Sequence, residues 1–454
     1  MSEKSDDSTD ETALTRTSEA TLRRLGANLE ATERALARSR GRYVQFFQEH
    51  ERFFVALLSR WHPISAELLQ RYNDRWIWGR AFLSRNGEVP WSIDLIDQHA
   101  ERWDWEELSR NQDLPWTREL IERYVDRWDW LWLSRNESLP WSESLIDQYA
   151  DRWNWSRLSS NPSIPWNADL VGRYSDRIEW RHLSVNEGLP NTRQFYRTVT
   201  EKYGRHTPTQ STGFSWYHLA LNEGAPWSEE SIRKFDDRQQ QATNFYGYSR
   251  DRFIWNALSR NASLPWTTEL IEEFEDRIKW EYLSRNEGVP WSEELIETYE
   301  GRWAWSGPVE IHDWRLHGKS ERPGLGGNEA IPWTRQLLEK WEDRLSWEEL
   351  SGNQSLPWSK DLLSCYESRW GWRELTKNDA LPWTEELVQK YEDRWNWNDF
   401  FAIGMTEALP WSLNLITRYS ERWNWIHLRG NKGVYEKAFA NHITPDIIRQ
   451  VLES

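Results

Sequence analysis

Glu310, His312, Asp313 and His317 are the one cluster of acid, base and metal-ligand side chains that this chain does not repeat. Imidazoles beside carboxylates are the raw material of general acid–base chemistry or of a metal site. Their spacing matches no ligand template, however, and they lie in a Gly- and Pro-rich stretch. The other carboxylates, such as Glu119 and Asp126, recur from unit to unit, which suits solvated helix faces and not a unique catalytic pair. No Gly-rich phosphate loop, H-E-x-x-H or Cys cluster is present. The single cysteine, Cys365, excludes an intramolecular disulfide framework and fits a reducing compartment. It falls in a predicted helix, where inert core filling is expected. These observations predict a protein that is not an enzyme and needs no cofactor.

Thirty-six tryptophans invite a carbohydrate-binding or base-stacking reading, but thirty-two of them fall in three repeating slots. The slot before the second segment's L-S is Trp in all thirteen units. The slot two residues earlier accepts Ile178, Phe214, Phe253, Ile278 or Leu345, as a packed core does. The always-indole slot points to a shape or an N–H hydrogen bond that only Trp supplies. Trp61, Trp132, Trp314 and Trp341 lie outside the pattern. An Arg precedes the earlier Trp slot in twelve units, for example Arg102, Arg127 and Arg152. Such a ladder could meet phosphates or acidic segments of a partner. It could equally bond the adjacent unit, and the Asp beside it at 74, 126, 151 and elsewhere favours that second role.

The elements that must position these side chains follow from the phrase D-R-W-x-W-x-x-L-S-x-N-x-x-L-P-W-S/T-x-E-L-I-x-x-Y, which recurs with a period of about 25 residues from Ile64 to Trp411. Thr117 is a natural N-cap, and Leu120, Ile121, Tyr124 and Trp128 fall on one helical face. The second segment carries capping boxes at Asp104–Glu107 and Ser346–Glu349. Asn111 and its equivalents stand where a left-handed residue ends a helix, and Pro115 holds the next residues extended. A leucine-rich repeat would need apolar residues three and five before the Asn. Glu106 at the second of these positions argues against that strand.

The fold class is therefore all-α: an α-solenoid of about thirteen two-helix repeats with N- and C-terminal caps, expected as an open superhelix on the order of 100 Å long. Residues 1–17 are expected as an acidic, disordered tail, 18–63 as a helical N-terminal cap, 64–436 as the array and 437–454 as a C-terminal half-repeat cap. Insertions fall at 200–213, 239–249 and 306–327, the last of them read as an irregular loop.

Trp103-Asp104-Trp105 through Leu108-Ser109 and Asn111 to Leu114 resemble the W-x-W-x-x-L-S-x-N-x-x-I-T tandem repeats of giant DNA virus and related proteins. L-P-W-S/T stands where that pattern has I-T. The resemblance implies a helical repeat array and brings no assigned activity or catalytic residue.

The expected function is a non-catalytic, cytoplasmic scaffold that binds a protein or peptide along its concave face or its inserted edge. The candidate contacts are Arg205, Tyr246, Tyr248, His312, Trp314, Arg315 and His317. A net charge of −16 favours a partner with basic surface and weighs against bare nucleic acid. Nucleic-acid binding through the Arg ladder and an enzyme site in 306–327 are the alternatives. No stretch approaches the roughly 18 apolar residues needed to cross a membrane.

Overall fold

The computed structural model describes residues 31–32, 34–79, 82–205, 214–233, 251–306, 324–398 and 402–454. Apart from a two-residue parallel bridge that pairs Gly204 with Phe214 and Arg205 with Ser215, the described secondary structure is helical.

Most units are pairs of very short helices, the second reduced to a 3₁₀ turn at Leu83–Arg85, Leu325–Gly327 and Ile403–Met405. In the third, Thr117 caps Arg118–Arg123 by accepting from Leu120 N, and Asp129 caps Trp130–Leu133. Helices of four to seven residues are unstable alone. Their stability comes from stacking, which buries one apolar cluster that runs from Tyr43 to Leu452. Leu120, Ile121 and Trp128 are buried and Tyr124 is half-buried, so the helical face read from the sequence is the core face.

The Asn slot works differently from the sequence expectation. Asn111 is extended, at φ −73° and ψ 119°, not left-handed. Its equivalent Asn136 donates from Nδ2 to the carbonyls of Ser109 and Asn111 in the preceding unit, both at 3.1 Å, and accepts from Ser138 N at 2.9 Å. The main-chain donor fixes the amide orientation, and the buried amide is fully satisfied. Ser109 adds a second link: its Oγ donates to Trp105 O and accepts from Asp129 N of the next unit at 2.9 Å. The Asn ladder continues across the insertions, with Asn222 on Ser184 O, Asn261 on Ala220 O and Asn328 on Ser284 O.

The last residues of the predicted 306–327 loop belong to the repeat. Leu325–Gly327 form a single 3₁₀ turn in the L-S-x position, Leu325 is buried, and Gly326 O accepts from Asn353 Nδ2 at 2.9 Å. Cys365 is exposed and does not fill the core. It ends the helix Lys360–Cys365, off the face that buries Leu362 and Leu363.

The array is not an open superhelix: its ends meet. Residues 34–49 form α1 and Glu51–Trp61 form α2. Leu58-Ser59-Arg60 takes the place of L-S-x, because Ser59 Oγ accepts from Ile77 N and Ser59 O accepts from Asn86 Nδ2. These are the contacts that most second helices make with the following unit. Helix α2 is thus a second helix with no first helix before it.

The C-terminal helix Pro445–Leu452, capped by Thr444, supplies the missing one. Glu453 accepts from Arg71 and Tyr72 of the first unit at 2.7 and 2.8 Å, as Asp147 accepts from Arg173 and Tyr174. Arg40 of α1 pairs with Asp446 at 3.2 Å, and Gln48 donates to Gln450 O. His62 is hydrogen-bonded to Tyr435 at 3.0 Å. The two predicted caps therefore cap each other, and together they complete a fourteenth unit from opposite ends of the chain.

Successive second helices approach more closely than most successive first helices, so the second helices line the inside of the ring. With neighbouring axes about 8–10 Å apart, fourteen of them enclose an opening on the order of 30 Å across.

Candidate partner-binding surface

The recurrent Trp and Arg are occupied in holding units together. Trp105 donates its indole N–H to Ala100 O at 3.0 Å, and Arg127 of the next unit donates to the same carbonyl at 2.8 Å while lying over the Trp105 ring at 5.4 Å. Arg127 also pairs with Glu101. The pattern repeats with Val125, Trp130 and Arg152, and with Glu392, Trp397 and Arg422. An always-indole slot follows, since Trp alone gives both the N–H and a broad face for a guanidinium. The earlier slot bonds likewise, Trp103 to Ile96 O at 3.2 Å, and so does the slot after Pro, Trp116 to Asn111 O at 2.9 Å. Guanidinium groups this committed leave few donors for an outside phosphate.

Of the sequence-named contacts, Tyr246, Tyr248, His312, Trp314, Arg315 and His317 lie outside the described residues, as do Glu310 and Asp313. Arg205 is placed by its backbone bridge to Ser215.

The inner face presents a different set. Counting from the always-indole Trp at 100° per residue, the buried Leu and Ser of a second helix lie at about 300° and 40°, close to the Trp itself. The residues one, two and five after the Trp fall at about 100°, 200° and 140°, on the side of the helix away from the Leu and Ser, although Glu107 and Tyr282 at the second position are themselves buried. Ile426, one after Trp425, is 64% exposed, which fits an open interior. The fifth position is the x of L-S-x-N. It holds Arg60, Arg85, Arg110 and Arg135 in four consecutive second helices, and later Arg260, Arg285 and Lys377.

These arginines are not paired as the ladder is. Arg110 bonds Glu106 and lies 3.6 Å over the Trp132 ring, but its Nε has no partner. Arg135 faces the same ring at 5.5 Å, with no carboxylate partner among the described residues. Arg60 Nη1 is buried without a hydrogen bond. Arg85 reaches Glu107 only at 3.7 Å. Burial and then the neighbouring Arg85 depress the Arg60 pKa, with Glu107 opposing. Sequence reading missed this slot because the repeat phrase left it as x, although L-S-R-N itself recurs.

At the seam, a cavity of about 510 Å³ opens between Glu49–Phe53 and Trp425, Ile426 and Arg429. His50 stacks on Trp425 there, at 4.4 Å between centroids. No group of three His, Cys, Asp or Glu able to hold a metal occurs among the described residues, and no described helix is long and apolar enough to cross a membrane.

No family model, curated protein or solved structure matches the chain.

Proposed function

We propose that this protein is a non-catalytic scaffold, a closed helical ring that holds a protein or peptide partner on its inner face. The observation that carries the reading is a division of labour within the repeat. The Asn, Ser and ladder Arg slots are spent on unit-to-unit bonds, and the Trp slots on bonds within the unit and ring contacts to the next. The inner slots are exposed at Arg135, Met405 and Ile426 and half-buried at Val185, and they change chemistry around the ring. A rigid frame that displays varied side chains toward one space suits recognition. A single cysteine, exposed and with no second cysteine in the chain to pair with, supports a reducing, cytoplasmic setting. Kinship with the W-x-W repeats of giant DNA viruses belongs to the same proposal and lends it no activity.

The test is a tagged pulldown of the full chain from its native source, with and without nuclease, read by mass spectrometry and nucleic-acid content. A stoichiometric protein that survives nuclease is the expected result. Nucleic acid that co-purifies and is lost at higher salt would overturn the reading.

A further inference from the structure

We propose that the inner face from α2 through the third unit is a docking track for an extended acidic segment of a partner protein, gripped by Arg60, Arg85, Arg110 and Arg135. This rests on the scaffold reading above and names the partner chemistry for part of the same face.

Four consecutive second helices each present one arginine at the same inner position. Two glutamates, Glu106 and Glu107, share the site, so the track keeps a local excess of positive charge in a chain whose net charge is −16. Arg85 and Arg135 are exposed; Arg85 meets Glu107 only at 3.7 Å, and Arg135 lies on an indole with no carboxylate partner among the described residues. A carboxylate from outside gives such guanidinium groups a charge-assisted, bidentate partner.

Spacing selects the ligand. Neighbouring units repeat about every 9 Å, and three residues of extended chain cover about the same distance at roughly 3.1–3.3 Å each. A segment with an acid at every third position would match one carboxylate to each arginine over about ten residues. Trp132, set between Arg110 and Arg135, offers an apolar face for a residue between two acids. A nucleic-acid strand fits less well: with a charge on every nucleotide it would bring more negative charge against Glu106, Glu107 and Glu137 than a segment with an acid at every third residue.

The experiment is fluorescence anisotropy of the full chain with a labelled peptide of about twelve residues carrying Glu at every third position, against its Gln counterpart. The Glu peptide is expected to bind at least tenfold more tightly. The double variant Arg60→Gln/Arg135→Gln should lose at least tenfold in affinity, and Arg60→Lys/Arg135→Lys should lose less. Arg335→Gln, on an exposed first helix, should change affinity less than twofold. Because neither Arg60 nor Arg135 is seen to hold an ion pair, circular dichroism should place the double Gln variant within about 2 °C of the parent.

Equal binding of the Gln peptide, no binding of either peptide, or unchanged affinity in the double Gln variant would overturn the track. So would a single-stranded oligonucleotide that binds more tightly through the same two arginines. A native partner retained by the double Gln variant would remove the track and leave the scaffold reading standing. Failure to recover any protein with the parent chain would remove the scaffold reading itself.

Discussion

The indole N–H of Trp61 donates to the main-chain carbonyl of Arg429, 3.4 Å away and 368 positions along the chain. Trp61 follows Leu58-Ser59-Arg60 where twelve of the thirteen units have Asn, and Arg429 stands where most have Ser. Between consecutive units this bond runs from the Asn amide to the Ser carbonyl, as in Asn111 to Ser84 at 3.0 Å. The seam is thus one more step of the ladder, with an indole in place of an amide. A solenoid normally needs polar caps at both ends; here each end covers the other.

Removing residues 444–454 should open the ring. The lost helix buries Ile447, Ile448, Val451 and Leu452 and carries Glu453. Four aliphatic side chains at about 1.5–3 kcal/mol each put the cost on the order of 6 kcal/mol or more. Urea unfolding should show an earlier transition, and small-angle scattering a larger radius of gyration.

Asn136→Ala should destabilise by about 2–4 kcal/mol, because it strips two buried carbonyls of a donor and leaves Ser138 N unpaired. Thr406, in the same slot, keeps one bond, to Thr376 O at 2.6 Å. Thr406→Asn should therefore be neutral or stabilising in the same denaturant titration.

Trp105→Phe should cost about 2–3 kcal/mol, and Trp105→Phe/Arg127→Ala should cost less than the sum of its parts. Trp105 and Arg127 share the Ala100 carbonyl and touch each other, so their contributions are coupled. A double-mutant cycle with strict additivity would contradict this shared site.

Acid should loosen the seam. Burial depresses the His62 pKa to about 4, and burial pushes Tyr435 up to about 12, so a neutral imidazole meets a protonated phenol. An unfolded His62 takes up its proton near pH 6.5, well before the folded one does, so stability falls as pH drops from about 6.5 to about 4. The loss approaches about 3 kcal/mol. Melting temperature measured across that window should slope steeply in the parent and less in His62→Gln.

Much of the unit was legible in the sequence, because it depends on neighbours along the chain. Caps at Thr117, Asp104 and Ser346, the buried face of Leu120, Ile121 and Trp128, and an indole N–H bond at the always-Trp slot are all present. What escaped depends on partners a unit or a ring away. Asn111 is extended because its amide must reach the preceding unit, which no local helix-ending rule reveals. Gly324 to Gly327 read as a loop, yet Leu325 fills a core slot and Gly326 feeds the Asn ladder. Cys365 needed only the helical wheel, which sets it off the Leu362, Leu363 and Tyr366 face. Closure needed Trp61 to be recognised as a stand-in for Asn.

The closed ring is tested most directly by double electron–electron resonance between spin labels at Arg40→Cys and Asp446→Cys in a Cys365→Ser background. Arg40 and Asp446 form an exposed ion pair, so labelling costs little stability. The ring predicts one narrow distance distribution below about 30 Å. A broad distribution centred beyond about 80 Å, as thirteen units stacked in an open superhelix would give, would contradict it.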